Sequence, residues 1–559
     1  MKLYKIFPLM LLGAAMLTVS CDDIDEQAPQ SGALLSEQVQ ETNQAVPSRL
    51  KATFDGMFNF MAKPKTGYPA SSRADDFGFV MAALSLDFEG ADMTSDNNGY
   101  NWFSTANEYS NRNPNYANPF IRYKIPYTEI GLANDFIASV PAETAATPEG
   151  KNQIAQARAL RCFSYMALAP YFQFGYATAA DQPCIPLLTD SVDFTNNPRA
   201  TVKQVYEYII RELTELIPDL GGLERSSKAY INENVAYGLR ARAYLAMGMY
   251  AEAAEDAAKA AEGYEPYSIA ECSVPAFCNI KDHNWIWGIN VFDDLVKSNG
   301  YQSSSSWLCA FSGDGYGPAC TVVPCINVLL YNKIPDTDVR KGWWLDGNCH
   351  SPNWADLVWT DPADPSIFAK GDEIAGFETS DGSKVAFLPY TNIKFAQKSG
   401  VGNSLNNNDW PLMRVEEMIL IRAEGLAKSG KEAEARQVLE NFVKTYRDPE
   451  YSSTRGGRSL ADEIWYQRRV ELWGEGFFIS DAKRLGKPIV RIHAVNTDDQ
   501  PNGSNLSPAF QFNIAADNAY LNMRFPTTEM NNNRGIVDNQ GGKQPEQNDL
   551  PELRDGVTD

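Results

Sequence analysis

Two stretches of this chain place flat rings beside hydrogen-bonding side chains. One is Asp96-Asn97-Asn98-Gly99-Tyr100-Asn101-Trp102, with Arg73 and Asp92 upstream. The other holds Trp285 and Trp287, then Tyr301-Gln302-Ser303, Trp307 and Tyr316. A neutral sugar has apolar C–H faces and hydroxyl edges. Rings match the faces, while Asn, Asp and Arg match the edges. Trp102, Tyr100, Asn101, Asp96, Arg73, Trp285, Trp287, Tyr301, Trp307 and Tyr316 are therefore the candidate ligand contacts. Each ring has a second reading. Trp102 and Trp307 suit either a ligand platform or an anchor that packs their loop onto the core. Trp285 and Trp287 stand two apart on an expected strand and share one face, which suits the core. Trp343, Trp344, Trp354 and Trp359 form a third cluster, read as packing.

Catalytic chemistry has weaker support. No Ser/His/Asp set, Gly-rich phosphate loop or metal-ligand cluster stands out, and His283, His350 and His493 are isolated in sequence. Six of the nine cysteines lie between Cys272 and Cys349: Cys272, Cys278, Cys309, Cys320, Cys325 and Cys349. They lack the C-x-x-C pairs of zinc sites. An exported chain can pair such cysteines as disulfides or keep them as thiols. Cys162, inside a helical pattern, reads as a small buried hydrophobe. A glycosidase needs two carboxylates aimed across a cleft, and 71 acidic residues make chance pairs plentiful. Arg414, Glu416, Arg422, Glu424, Arg469, Glu471 and Glu475 recur at helical spacing among apolar residues. That pattern reads as paired charges fixing helix packing. The reading is a non-enzyme that needs no cofactor and no metal.

The start of the chain carries a different kind of chemistry. Lys2 and Lys5 precede an apolar stretch from Ile6 to Val19, broken by Pro8 and Gly13 and too short to span a bilayer comfortably. Ser20-Cys21 and the acidic run Asp22-Asp23-Ile24-Asp25-Glu26 follow. This resembles a bacterial lipoprotein signal, which implies removal of residues 1–20 and acylation of Cys21. Thr18-Val19-Ser20 matches the usual Leu-Ala-Gly loosely. The other reading is an ordinary signal peptide. The acidic run is similar to a surface-export tag.

The elements behind these residues make a large body. The chain has 559 residues, 44% of them hydrophobic, enough for a sizeable core. Net charge is −22, and −24 once Lys2 and Lys5 leave with the leader. Phosphate recognition needs a clustered positive field, so nucleic acid is a poor partner. Apolar spacing predicts a helix over Gln153–Phe174, kinked or ended by Pro170. Thr201 caps a second helix, Val202–Ile217, with Pro218 just past its end. Asn234–Met247 and Tyr250–Ala261 form a helix pair closed at Gly248. Glu416–Ser429 and Ala433–Val443 form another, with Gly430 between them. Both pairs look like tetratricopeptide turns, and such units must stack with neighbours to bury their faces. Residues 265–410, 66–118 and the tail from Thr497 read as long loops and short strands. Loops of this kind on a rigid scaffold tend to carry binding sites.

The order of landmarks resembles the SusD/RagB family of nutrient-binding outer-membrane lipoproteins, from Cys21 to the tail. Ala157-Arg158-Ala159-Leu160-Arg161-Cys162-Phe163-Ser164-Tyr165 is similar to its first signature helix. Tyr171-Phe172-Gln173-Phe174-Gly175, Ile185-Pro186-Leu187 and Arg199-Ala200-Thr201 follow in order. The run from Pro411 to Glu424 and the run from Arg468 to Gly476, with Asp481 and Arg484, carry the strongest likeness. Phe525-Pro526-Thr527-Thr528-Glu529-Met530-Asn531 matches the tail motif. Phe478 stands where the family usually has Arg. The resemblance implies a mainly α fold: a tetratricopeptide-like helical-repeat scaffold with a loop-rich, short-strand-containing insertion and tail. It implies one SusD-like domain over 21–559, with helical repeats mainly at 40–262 and 411–487, a ligand-facing region at 265–410 and an irregular tail at 497–559. It also implies an outer-membrane lipoprotein, lipid-anchored and surface-exposed, that passes an oligosaccharide to a SusC-like TonB-dependent transporter. A peptide ligand, a surface glycoside hydrolase and a mainly structural lid are the alternatives.

Overall fold

The computed structural model describes residues 36–64, 67, 73–95, 103–188, 193–298, 308–312, 324–351, 387–400, 403, 405–492, 505–539 and 541. It adds four short strands as backbone, β6 (Val358–Asp361), β7 (Asp364–Lys370), β8 (Gly376–Glu378) and β9 (Lys384–Ala386); the others are β1 (Met93–Thr94), β2 (Pro183–Ile185), β3 (Ala200–Thr201), β4 (Trp285–Ile289), β5 (Cys325–Ile326) and β10 (Trp410–Arg414). The fold is mainly helical, as the sequence predicts. The helices of eight or more residues among the described residues are α1 (Ser36–Ala45), α2 (Pro47–Phe60), α3 (Phe79–Phe88), α4 (Ala117–Ser139), α5 (Pro148–Phe172), α6 (Val202–Leu220), α7 (Glu233–Ala246), α8 (Tyr250–Ala261), α9 (Val415–Lys428), α10 (Glu432–Tyr446), α11 (Leu460–Glu471) and α12 (Phe478–Leu485).

Local chemistry explains most of the boundaries. Thr147 caps α5 by accepting from the Gly150 N–H at 3.0 Å, and Pro148 sits at the first helical position. Thr201 and Gln204 exchange side-chain and backbone bonds of 2.8 and 3.2 Å, a full capping box at the start of α6. Pro218 lies inside the last turn of α6, not beyond it. Proline's φ suits a helix, and near the end it removes only one donor. Gly248 has φ +74° and closes α7. The Gly248 N–H reaches Leu245 O and the Met249 N–H reaches Tyr244 O, which together satisfy two orphan carbonyls. Gly430, at φ +87°, repeats the device between α9 and α10.

The helices then stack in order: α4 on α5, α5 on α6, α6 on α7, α7 on α8, α8 on α9 and α9 on α10. The α8–α9 step joins helices separated by the whole stretch 262–414. Gly425 makes that approach possible: a Cβ there would stand 2.5 Å from Tyr250 O. Two strands anchor the intervening stretch to the stack. β4 (Trp285–Ile289) pairs antiparallel with β10 (Trp410–Arg414), and every residue of both is buried.

One expectation of loop structure is corrected. Residues 66–118 include α3, a ten-residue helix with nine buried residues. Its segment Phe-Val-Met-Ala-Ala-Leu-Ser-Leu-Asp-Phe is apolar all round, so no amphipathic period marks it.

A buried charge cluster locks the end of the stack to the insertion. Arg447 bonds Glu471 at 2.8 Å and Glu416 at 3.1 Å. Arg414 bonds Glu475 at 2.7 Å and Glu471 at 3.1 Å. Arg340 bonds Asp338 at 2.6 Å, and Lys394 bonds Glu475 at 2.7 Å. No side chain in this set is more than 3% exposed. Burial alone would raise the Glu475 carboxyl. Arg414 and Lys394 outweigh that and hold it below the ordinary carboxylate range. Outside the cluster, Glu424 pairs with Arg484, Arg468 with Asp481 and Arg469 with Asp92. The packing role read for these residues therefore fits. Arg422 departs from it: it is exposed and joins no ion pair among the described residues.

Candidate functional site

Two short strands pair at described residues that border the ring-bearing segments. β1 (Met93–Thr94) runs antiparallel to β5 (Cys325–Ile326), with Thr94 opposite Cys325 and Met93 opposite Ile326. The chain leaving β1 at Ser95 and the chain entering β5 from Pro324 therefore lie at the same end of the ribbon. The segment 390–392 extends this floor. Ile326 N–H donates to Tyr390 O at 3.0 Å, and Asn392 N–H to Pro324 O at 3.0 Å. The Asn392 side chain donates to Leu308 O at 3.2 Å and again to Pro324 O at 3.0 Å. Residues 95, 308 and 324, each next to a segment outside the described residues, are thus gathered on one floor. Phe103 holds the far end of the first segment. It is fully buried, and its ring stacks on Phe88 with centroids 4.9 Å apart.

The predicted contacts divide into three groups. Asp96, Tyr100, Asn101, Trp102, Tyr301, Trp307 and Tyr316 lie outside the described residues, as does Cys21. Arg73 is described and half-buried. Its guanidinium grips Asp75 at 3.0 and 2.9 Å, and Asp75 also accepts from Asn118 at 2.9 Å. Trp285 and Trp287 are corrected as ligand contacts: both are fully buried on β4. Trp287 donates to Ala229 O at 3.0 Å and meets Phe163 edge to face at 4.8 Å. The strand lies between the helical stack and the insertion, so its rings fill the core. Trp343 and Trp344 are likewise buried, as the packing reading has it. Trp354 and the Trp359 side chain lie outside the described residues.

Asp92 also proves structural. Its carboxylate is buried against Arg469 at 2.5 and 2.9 Å, and its carbonyl accepts from Asn327 N–H and Trp473 Nε1. Cys162, Cys184, Cys272, Cys278, Cys309, Cys325 and Cys349 are free thiols. No described group of three or more His, Cys, Asp or Glu is placed to hold a metal. No described helix is long and apolar enough to cross a membrane.

One residue of the floor is absent from the sequence-based candidates. Tyr390 has φ +65° in a turn closed by Thr391 N–H to Leu388 O at 3.2 Å, with Pro389 before it. That third turn position ordinarily selects glycine or asparagine. A strained, half-buried tyrosine beside residues 95, 308 and 324 is a candidate contact. Its ring meets Tyr331 edge to face at 5.4 Å, and burial pushes both phenols above the ordinary tyrosine range. Gly347 leaves room for it, since a Cβ there would stand 3.1 Å from the Tyr390 hydroxyl. The Pro-Tyr-Thr triplet was the available signal, but a search led by tryptophans passes over it.

Comparison with known proteins places the scaffold. A family model described as "SusD family" matches residues 378–550. A second, described as "Starch-binding associating with outer membrane", matches 79–245. A search of curated proteins finds no match. Among solved structures, the chain is similar to a SusD-like carbohydrate binding protein from Bacteroides vulgatus, with 20% identity, TM-score 0.66, and coverage of 88% of this chain and 97% of that one. A SusD superfamily protein from Bacteroides thetaiotaomicron is 19% identical with TM-score 0.63, over 88% and 99% of the two chains. One from Parabacteroides distasonis is 15% identical with TM-score 0.60, over 91% and 100%. At these identities the structures establish a shared fold. With one model on the first helical half and the other on the second half and tail, the chain belongs to the SusD/RagB family.

Proposed function

We propose that this protein is a non-catalytic surface lipoprotein. It captures an oligosaccharide on the floor formed by β1, β5 and residues 390–392, and delivers it to a SusC-like TonB-dependent transporter. The observation that carries the reading is the β1–β5 pairing. It sets Ser95 and Pro324 at one end of a ribbon on a SusD/RagB scaffold, beside Tyr390, and on this reading the Asp96–Trp102 and Tyr301–Tyr316 regions, which lie outside the described residues, adjoin it. Trp102, Tyr100, Trp307, Tyr301, Tyr316 and Tyr390 supply rings for sugar faces. Asp96, Asn101 and Arg73 supply the polar edge. The description of one matching model as starch-binding supports the ligand class and makes maltoheptaose the first probe. The chain is a single SusD-like domain from 21 to 559, held at the outer membrane through acylated Cys21.

Calorimetry with maltoheptaose and a panel of other neutral oligosaccharides tests the binding. Ring stacking gives little salt dependence, because ionic screening weakens charge pairs and not stacking. Binding that collapses with added salt marks a charged ligand and overturns the neutral-glycan reading. Release of shorter sugars marks a hydrolase instead. Cys21→Ala is expected to abolish lipid labelling and free the protein from membranes; unchanged labelling overturns the anchor.

A further inference from the structure

A second cavity lies inside the helical stack, away from the β1–β5 floor. It measures about 160 Å³ and is walled by α3, the carboxyl end of α5, the start of α6, the end of α7, β10 and α12. Phe163, Phe174, Trp410 and Phe477 give it a largely apolar wall. Half-buried Phe174, Tyr176 and Ser480 form part of its lining on the side where α5 ends.

The charges in this wall already have partners. Glu417 accepts from Arg242 through both oxygens at 2.7 Å. Asp481 accepts from Arg468 at 2.8 and 3.2 Å and from Arg484 at 2.8 Å. Glu475 is held by Arg414 and Lys394. Lys483 donates to Pro170 O, Gln173 O and Asn522 Oδ1, which uses all three of its N–H groups. A charged ligand would shed its water here and meet no free counter-charge.

Two neutral groups stand apart. Tyr206 on α6 and Trp410 on β10 are 8% and 4% exposed, and both side chains line the cavity. Neither the Tyr206 hydroxyl nor Trp410 Nε1 has a hydrogen-bond partner among the described residues. Trp285 Nε1 and Trp344 Nε1 also lack partners, but those atoms are sealed from water; the Tyr206 and Trp410 atoms are not. Both therefore keep contact with open space, and the cavity is the space that both side chains border. Trp410 also borders a void of about 10 Å³, too small for a ligand. Burial pushes the Tyr206 phenol above the ordinary tyrosine range, so it stays a neutral hydroxyl. An indole N–H only donates, and a phenol can donate, so one uncharged oxygen acceptor suits them both. A sugar does not suit them, because two polar groups in an apolar wall leave most of its hydroxyls unpaired.

We propose that this cavity binds a small uncharged molecule with one ring or branched apolar body and a neutral oxygen acceptor. The body fills the aromatic-walled volume, which is close to the roughly 150 Å³ known to admit benzene. The oxygen accepts from the Tyr206 hydroxyl and Trp410 Nε1. Neither part depends on the sugar-binding reading, because the two sites share no residue.

Ligand-observed NMR with acetophenone, toluene and benzoate on the folded protein tests this. Acetophenone is expected to give a saturable signal, with toluene weaker and benzoate absent. Ala246→Phe, which fills the cavity from α7, abolishes the acetophenone signal; Ala167→Leu fills it from α5 if the first variant fails to fold. Tyr206→Phe keeps the ring and removes the hydroxyl. It is expected to weaken acetophenone by about threefold to tenfold and to leave toluene unchanged, a split that a merely structural role would not produce. A missing acetophenone signal leaves water as the partner of both groups and overturns the proposal. So does benzoate binding equal to acetophenone, acetophenone binding unchanged by Tyr206→Phe, or an acetophenone signal that survives both filled cavities.

Discussion

The charge cluster around Glu471 and the floor around β1–β5 are held together by different groups and serve different ends. In the cluster, arginines and glutamates are sealed from water and bonded to one another, leaving no reach for a ligand. On the floor, backbone bonds and the Asn392 side chain do the holding, and a tyrosine occupies a turn position that favours glycine. Burial and pairing mark structure; backbone strain at Tyr390 marks a candidate site. The strongest family motifs thus lie in the scaffold, apart from the proposed ligand contacts.

Breaking the cluster is expected to have the largest effect. Arg447→Ala leaves Glu416 and Glu471 buried with one partner fewer, at a cost of about 3–5 kcal/mol. Thermal unfolding measures it, and a melting temperature within error of the parent means the cluster is not holding the stack. Tryptophans sharpen the same comparison. Trp287→Ala is expected to cost about 3–5 kcal/mol of stability, as for other buried aromatics. Trp102→Ala and Trp307→Ala are each expected to weaken glycan binding by about 1–3 kcal/mol with unchanged melting. If those two variants lose stability and not binding, their rings are core and the site lies elsewhere.

Smaller effects follow from backbone and protons. A Cβ at Gly248 would meet no atom closer than 3.8 Å outside its chain neighbours, so the expected cost of Gly248→Val, about 1–3 kcal/mol in the melting curve, is chiefly positive-φ strain. Tyr390→Gly relieves strain of about 1 kcal/mol and yet weakens glycan binding. A variant that binds as well as the parent removes Tyr390 from the site. The smallest effect is a slope. Burial holds the Glu129 carboxyl well above its ordinary range, with neither oxygen hydrogen-bonded, and pushes Asp87 up to about 7. The unfolded chain therefore releases these protons at lower pH than the fold does. Stability is full at acid pH with respect to these two groups, and falls as pH rises through their folded values. Glu129→Gln is expected to flatten that fall in denaturant titrations from pH 5 to 8; an unaltered slope places its proton elsewhere.

Much of the scaffold was legible because its signals are short-ranged. A capping hydroxyl, a glycine between two helical periods and an Ala-rich helix pair each act within a few residues, so Thr201, Gly248 and Gly430 mark their boundaries directly. α3 was hidden by being apolar on every side. Pro218 was misplaced because a proline near a helix end is tolerated inside it. In the candidate site, residue types pointed to a sugar, but type alone did not separate platform from core: Trp285 and Trp287 went to the interior.

What the sequence determined by itself is the helical repeat chemistry, the ordered family motifs and the chemical class of the loop side chains. These rest on local hydrogen bonds, backbone torsions and apolar periodicity. Tertiary structure alone decided that Thr94 meets Cys325, that α8 stacks on α9 across the insertion, and that Arg447 closes a charge cluster assembled from distant segments. Such contacts depend on which surfaces exclude water together once the helices pack. No spacing along the chain encodes that, because each pairing is settled by the combined fit of every neighbouring element.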